Sequence, residues 1–274
     1  MTAPSIRLAN GVEMPAVGLG TSPLNDRDSE RIVAAALDAG YRLIDTAENY
    51  RNEVGVGRGI RASGVDRDDV LVTTKLNKRW HGVDEAQQAW ANSAERLGLD
   101  RIDLLLIHWP NPQQDRYVDA WRGMMQLLED GRVRAIGVSN FKPSHLDRLI
   151  DETGVTPHVN QIELDPRMSR REERAYHEAH GIVTESWSPL GAGGWLLREP
   201  AIREVAERHG RSPAQIVLRW HVQLGLVAIP RTSKRERLPE NLDVFDFELS
   251  SDDMDVLASL DGSEQPTDSD RFGH

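Results

Sequence analysis

The chain alternates short apolar segments with helical segments, and this alternation restricts the possible folds more than any other feature of the sequence. Eight strand-length apolar segments are each followed by sequence with helical spacing, and no change in composition marks a linker. Parallel strands covered by helices on both sides are apolar throughout, as these segments are. Eight such units favour a closed (β/α)8 barrel over an open doubly wound sheet. We therefore predict an α/β fold with a single barrel domain over residues 1–274.

Two additions to the barrel are predicted, one at each end of the chain. Residues 5–9 and 12–17 are separated by Asn10-Gly11, a pair typical of a tight turn, so we predict an N-terminal β-hairpin. The eighth predicted strand is Leu226–Ile229, and the sequence after it predicts extra C-terminal helices.

The glycines of Gly55-Val56-Gly57-Arg58-Gly59 resemble the fingerprint of a dinucleotide-binding fold. Their last glycine comes one position early, however, and the segment does not follow a strand immediately. Helix packing or a turn is therefore the favoured explanation for this segment.

Composition excludes several classes of function. The formal net charge of −11 disfavours non-specific binding to nucleic acid. A chain without cysteine has no disulfide, thiolate nucleophile or cysteine-ligated metal, and without an HxH or HExxH pair we expect no metal site. No apolar run could span a bilayer, and Met1-Thr2-Ala3-Pro4 lacks the features of a signal peptide. We expect a soluble cytoplasmic protein without nucleic-acid or membrane partners.

Polar residues are concentrated where the predicted strands end. Active sites of barrels of this type lie at the carboxyl ends of the strands. The residues at those ends are Thr21, Asp45, Lys75, His108, Ser139, Asn140, Gln161, Trp187, Ser188 and Arg231. Such a concentration of polar and titratable groups predicts a catalytic or binding site there.

Four of the residues in this region form a chemically consistent set. Taken singly, Asp45 could cap a helix, Tyr50 could lie on a surface, Lys75 could form a surface ion pair and His108 could be a core histidine. Taken together, the Lys75 ammonium would lower the pKa of the Tyr50 phenol, and Asp45 would keep that ammonium charged. A neutral His108 could orient a substrate oxygen. The set predicts a proton donor directed at a carbonyl oxygen.

The segment Arg231-Thr232-Ser233-Lys234-Arg235-Glu236-Arg237 is basic within an acidic chain. It follows the eighth strand, a place where barrels often bind phosphate, and it opens a short helix. Arginine is suited to bidentate recognition of the 2′-phosphate that distinguishes NADPH from NADH. We predict a phosphate-binding segment here.

Several ordered motifs make the chain resemble the aldo-keto reductase family, from near its start to about Leu260. The matching segments are Gly40–Ala47, Thr74-Lys75-Leu76, His108-Trp109-Pro110, Ile136–Phe141, Val159–Leu164, Ser188-Pro189-Leu190-Gly191 and Ile229–Asn241. Glu185-Ser186-Trp187 and Asn241–Phe247 most resemble the bacterial 2,5-diketo-D-gluconate reductase branch.

The resemblance implies roles for individual residues. Tyr50 would be the general acid, tuned by Lys75 and Asp45, with His108 orienting the carbonyl. The residues that would bind NADPH or NADP⁺ are Gly20, Thr21, Asp45, Ser139, Asn140, Gln161, Trp187, Ser188, Leu190, Gly191, Arg231, Thr232, Ser233, Arg237, Glu240 and Asn241. Around the substrate we expect Tyr50, His108, Trp109, Leu24, Trp80 and Phe141.

The chain departs from the family pattern near the expected substrate pocket. Ser22-Pro23-Leu24 lacks the aromatic residue that is common after the first strand, and Asn77 stands where tryptophan is frequent. The tail Ser263–His274 is short and polar, which predicts an open or disordered wall.

The resemblance implies a monomer that reduces a small aldehyde, ketone or keto-sugar with NADPH. Two alternatives remain at this point. The chain could be a non-catalytic nicotinamide-binding barrel that acts as a sensor or partner subunit. It could also be a lyase or isomerase that uses Lys75 to form a Schiff base.

Overall fold

The N-terminal hairpin closes the amino-terminal end of the barrel in the computed structural model, which describes residues 3–273. Strands β1 (Ser5–Arg7) and β2 (Glu13–Pro15) pair antiparallel. Leu8 and Met14 are buried in one apolar cluster with residues at the starts of the following strands, such as Leu43. The predicted hairpin is thereby confirmed, and it covers the end of the barrel opposite the site described below.

In the described part of the chain, eight parallel strands form the barrel wall, in the order of the sequence. They are β3 (Leu19–Gly20), β4 (Leu43–Asp45), β5 (Leu71–Leu76), β6 (Ile102–Ile107), β7 (Val133–Ser139), β8 (Val159–Glu163), β9 (Val183–Trp187) and β10 (Val227–Ile229). Isolated parallel bridges join Val17 to Ala228 and Gly20 to Arg231, which bring the first and last strands together. The predicted (β/α)8 barrel is confirmed.

Ten α-helices surround the strands and follow them within residues 3–273. They are α1 (Asp26–Asp38), α2 (Glu53–Ser63), α3 (Val83–Leu97), α4 (Tyr117–Glu129), α5 (Pro143–Thr153), α6 (Arg171–Ala179), α7 (Pro200–His209), α8 (Pro213–Gln223), α9 (Arg237–Leu242) and α10 (Ser251–Ala258). Capping residues fix several starts; for example, the Asn25 side chain accepts from the Asp28 amide, and Ser212 and Gln215 form a capping box. Helices α9 and α10 are the predicted C-terminal additions. Within the described part of the chain, none of these helices has the length and apolarity needed to cross a membrane.

The glycines of helix α2 allow close helix packing. A Cβ atom at Gly55 would overlap the backbone of Asp26 in α1, and one at Gly57 would overlap the backbone of Leu97 in α3. Because only glycine leaves room for those neighbouring backbones, the segment serves helix packing, as predicted from the sequence.

Candidate active site

A cavity of about 530 Å³ opens at the carboxyl ends of the strands. Its lining includes thirteen residues that the sequence predicts to belong to the site: Gly20, Asp45, Tyr50, His108, Trp109, Ser139, Asn140, Gln161, Trp187, Ser188, Leu190, Gly191 and Arg231. Most of the lining residues come from seven of the eight strands and the loops after them. The structure therefore brings most of the predicted site residues into one cavity.

Asp45 lines the floor of this cavity and forms an ion pair with Lys75, which is fully buried outside the lining. Strands β4 and β5 are neighbours, and their register pairs Asp45, the last residue of β4, with Thr73. Lys75 lies two residues further along β5, on the same face as Thr73. The Lys75 ammonium donates to both Asp45 carboxylate oxygens at 2.7 Å, to the Thr46 carbonyl at 2.9 Å and to the Tyr50 phenol at 3.5 Å. The Lys75 side chain has no solvent exposure. All of the ammonium hydrogens are thus directed at protein groups.

The Tyr50 phenol is held by a short 3-10 turn, Glu48–Tyr50, directly after β4. Glu48 fixes this turn to the loop after β5, because its carboxylate accepts from the Asn77 amide and the Trp80 indole, each at 2.8 Å. The rings of Tyr50 and His108 meet edge to face with centroids 5.7 Å apart. The phenol and the imidazole therefore face the cavity side by side.

The net change in the pKa of Tyr50 is opposite to the sequence-based expectation, which is that Lys75 lowers it. Burial raises the pKa of the Tyr50 phenol, and the Lys75 ammonium acts in the opposite direction without cancelling that effect. For Lys75, burial is the largest single influence and disfavours the ammonium, but Asp45, Tyr50 and Glu185 together outweigh burial, so the pKa of Lys75 is raised. The lysine lies closer to Asp45 than to Tyr50, so its charge mainly stabilises the carboxylate. The phenol is protonated at neutral pH.

A hydrogen-bonded group of polar side chains lies beside the phenol. The Asn140 amide donates to the Ser139 hydroxyl at 2.9 Å and accepts from the Trp187 indole at 2.9 Å. The Gln161 amide donates to Asp45 at 2.9 Å and to Glu185 at 2.8 Å. Ser139, Asn140, Gln161 and Trp187 therefore present a fixed set of hydrogen-bonding groups and one indole ring to the cavity.

Other predicted cofactor residues lie outside the cavity lining. Thr21 is fully buried and its hydroxyl donates to the Asp45 carbonyl, so it joins β3 to β4. Thr232, Ser233, Arg237, Glu240 and Asn241 lie further along the chain, in the segment that follows β10 and in α9. Ser233 and Arg237 are exposed there, which leaves their side chains accessible to a ligand that extends past Arg231.

Three residues expected around the substrate do not line the cavity in the described structure. Leu24 packs in the core between the barrel and its helices. Phe141 is fully buried against Tyr117, with ring centroids 5.3 Å apart. Trp80 donates its indole hydrogen to Glu48 and lies beneath the Arg79 guanidinium. Trp109 does line the cavity.

The C-terminal tail supplies a wall that is not predicted from the sequence. Thr267 and Phe272 line the cavity, and the Phe272 ring meets Trp109 edge to face with centroids 4.8 Å apart. Lys142 holds the tail through Asp268 at 2.7 Å and Asp270 at 2.5 Å. The expectation of an open or disordered wall is thus not what the structure shows. The acidic residues and the phenylalanine of the tail make these contacts, but no local sequence pattern marks them.

Comparison with known proteins agrees with this geometry. The Aldo/keto reductase family model matches residues 14–261. An aldo-keto reductase of Mycolicibacterium smegmatis is 51% identical over 259 residues, which cover 94% of each chain. A 2,5-diketo-D-gluconic acid reductase B of Corynebacterium sp. is 51% identical over 258 residues, which cover 94% of this chain and 93% of the relative. The crystal structure of a Gox0644 mutant in complex with NADPH has a TM-score of 0.95 and 42% identity, with all of both chains covered. The chain belongs to the aldo/keto reductase family.

Proposed function

We propose that this protein reduces an aldehyde, ketone or keto-sugar to an alcohol with NADPH as the hydride source and Tyr50 as the general acid. The observation that carries the proposal is the Tyr50 phenol, held at the cavity beside His108 and 3.5 Å from the Lys75 ammonium. A small carbonyl compound is the proposed partner. We also propose that the protein acts as a monomer, because a single chain supplies all of the groups used below.

The donors and acceptors of the cavity fit a nicotinamide dinucleotide phosphate. Amide and hydroxyl groups of Ser139, Asn140 and Gln161 lie near Tyr50 and match the carboxamide of a nicotinamide. The Trp187 indole offers a ring face for stacking. Arg231 lies on the rim, and the exposed Ser233 and Arg237 beyond it could bind a 2′-phosphate. When bound, NADPH supplies the hydride.

The protein's own residues move and stabilise the proton. Because the pKa of Tyr50 is raised, the phenol carries its proton at neutral pH and can donate it to a carbonyl oxygen. The Lys75 ammonium then stabilises the phenolate that remains, and Asp45 keeps the ammonium in place. His108, whose ring adjoins Tyr50, orients the carbonyl oxygen.

The raised pKa of Tyr50 gives the two directions of the reaction opposite pH dependences. Reduction requires the protonated phenol and is sustained from neutral to moderately alkaline pH. Oxidation of an alcohol requires the phenolate, whose fraction rises about tenfold per pH unit below the pKa. Alcohol oxidation should therefore become faster as the pH is raised.

The two alternatives are less well supported by the site. A Schiff base requires a neutral amine, whereas the buried Lys75 ammonium is paired with Asp45 and has a raised pKa. A sensor without activity has no need of a phenol, an ammonium and an imidazole arranged around one cavity.

The replacement Tyr50→Phe tests the proposal. It removes the acid and keeps the ring, so we expect kcat to fall by about 10²–10⁴-fold while the Kd for NADPH changes less than about threefold. NADPH consumption with keto-sugars, α-dicarbonyls, aromatic aldehydes and β-keto esters measures the first quantity, and NADPH fluorescence measures the second. Tyr176→Phe is the matched control, because the Tyr176 hydroxyl donates to Asp147 outside the cavity. Wild-type turnover by Tyr50→Phe would show that another group is the acid. NADPH binding without turnover of any compound class would favour the sensor.

A further inference from the structure

A buried carboxyl group, that of Glu185, lies inside the barrel and has no part in the proton transfer described above. Along β9, Val183, Glu185 and Trp187 share the inward face of the strand, and both apolar neighbours pack against the interior cluster. Glu185 has no solvent exposure. A buried carboxyl that forms no salt bridge with the described residues lowers stability, so its presence inside the barrel calls for a functional explanation.

Glu185 contacts Gln161, a residue of the cavity. The register of β8 and β9 places Gln161 opposite Glu185. The Gln161 amide nitrogen donates to one Glu185 oxygen (Oε2) at 2.8 Å and to one Asp45 oxygen (Oδ2) at 2.9 Å. The other Glu185 oxygen, Oε1, is buried and makes no hydrogen bond with the protein groups that the structure describes.

These two contacts determine which way the Gln161 amide faces. An amide nitrogen carries two hydrogens, and both are directed at carboxyl oxygens. A rotated amide would place its carbonyl oxygen against the Asp45 carboxylate, where two acceptors repel each other. The amide oxygen of Gln161 is therefore the group that remains available to a ligand in the cavity.

We propose that Glu185 is a positioning residue for the cofactor: with Asp45, it holds the Gln161 amide so that the amide oxygen accepts a hydrogen bond from the nicotinamide carboxamide. The inference rests on the proposed function, since it assumes that a nicotinamide occupies the cavity. It adds to that function a residue that contacts neither substrate nor cofactor and acts through Gln161.

The charged groups around Glu185 are consistent with this role. Burial, followed by the Asp45 carboxylate, raises the pKa of Glu185 to about 8, while the Gln161 hydrogen bond and the Lys75 ammonium act in the opposite direction. Tyr50 is the remaining titratable group that interacts with this carboxyl. Glu185 is therefore mainly neutral at pH 7, and a neutral glutamine should replace it with little disturbance.

Two substitutions separate positioning from a purely structural role. Glu185→Gln keeps an oxygen that accepts from Gln161, so we expect the Kd for NADPH at pH 7 to stay within about threefold of wild type. Glu185→Leu removes the acceptor and leaves the Gln161 amide free to rotate, so we expect a Kd about tenfold higher. Its Tm should stay within a few degrees of wild type, because the unpaired carboxyl oxygen is removed as well. NADPH fluorescence and thermal unfolding without cofactor give the two readouts.

Asp103→Asn provides the matched control. Asp103 is a fully buried carboxylate near the start of β6, at the opposite end of the barrel, where it accepts from Arg67 at 2.5 Å and from the Val72 amide at 3.0 Å. Its replacement should lower the Tm and leave the Kd for NADPH unchanged. A change in Kd therefore does not follow from a loss of stability alone.

A cofactor analogue tests the contact itself. NADP⁺ in which an acetyl group replaces the carboxamide lacks the hydrogens that the Gln161 oxygen would accept. Wild type should bind NADP⁺ about tenfold more tightly than this analogue, and Glu185→Leu should show a preference below about threefold. A Glu185→Leu protein with the wild-type Kd and the wild-type preference would overturn the inference. So would equal weakening by Glu185→Leu and Glu185→Gln. Failure of the wild-type protein to bind NADPH at all would instead overturn the proposed function.

Discussion

Two lysine–aspartate pairs hold the cavity, Lys75–Asp45 at its floor and Lys142–Asp268 at its rim. The two pairs differ in their surroundings. At the floor, Lys75 lies 2.7 Å from Asp45 and both side chains are almost fully buried, at 0% and 3% exposure. At the rim, Lys142 lies 2.7 Å from Asp268, with 34% and 46% exposure. Equal distances do not imply equal energies, because water weakens the interaction at the rim. The floor is a fixed part of the site, whereas the rim is held by contacts that solvent conditions can loosen.

The largest difference should appear when each lysine is replaced by methionine. Lys75→Met leaves the Asp45 carboxylate buried without a cation, so we expect the free energy of unfolding to fall by about 3–5 kcal/mol. The same substitution at Lys142 exposes its partners to water and should cost less than about 1 kcal/mol. Urea unfolding of the two variants measures both values. Similar losses at both positions would mean that burial does not distinguish the pairs.

A smaller effect is expected from Phe272→Ala at the rim. Phe272 meets the Trp109 ring across the cavity, so its removal opens one wall. An aromatic contact of this kind contributes about 0.5–1.5 kcal/mol, which predicts a KM for an aromatic aldehyde about two- to tenfold higher. The Kd for NADPH should not change, and the KM of a small α-dicarbonyl compound serves as the control. An unchanged KM for the aromatic aldehyde would contradict the assignment of the tail as a substrate wall.

Salt should produce the smallest effect. Lys142 pairs with Asp268 and Asp270, and these partly exposed contacts are screened as ionic strength rises. Between about 0.05 and 0.5 M NaCl we expect the KM for an aromatic aldehyde to rise about two- to threefold in the wild type. In Lys142→Met both ion pairs are already absent, so the KM for the aromatic aldehyde should remain nearly constant. The same salt response in both proteins would show that these ion pairs do not hold the tail.

The floor of the site could be predicted from sequence because its residues follow local patterns. Asp45, Lys75, His108 and Gln161 all lie within or next to short apolar strands, and the barrel fold brings those strand ends together. The net direction of the Tyr50 pKa could not be predicted, since it depends on how completely the fold buries the phenol.

The rim could not be predicted in the same way. The contact of Lys142 with Asp270 joins a helix start to the tail across more than a hundred residues, and no local pattern marks it. Residue type also fails to show which way a side chain faces. Leu24 and Phe141 are apolar residues near strand ends, yet both pack away from the cavity into the core. Loop positions and side-chain directions are properties of the packed barrel.

The seam between the first and last strands has a consequence for how the protein is made. The bridges Val17–Ala228 and Gly20–Arg231 join residues from nearly opposite ends of the sequence. During synthesis, β3 therefore keeps an unpaired edge until β10 has emerged, and contacts between such distant residues form slowly. Gly20 and Arg231 both line the cavity. The proposed cofactor site is thus complete only once the barrel has closed on itself.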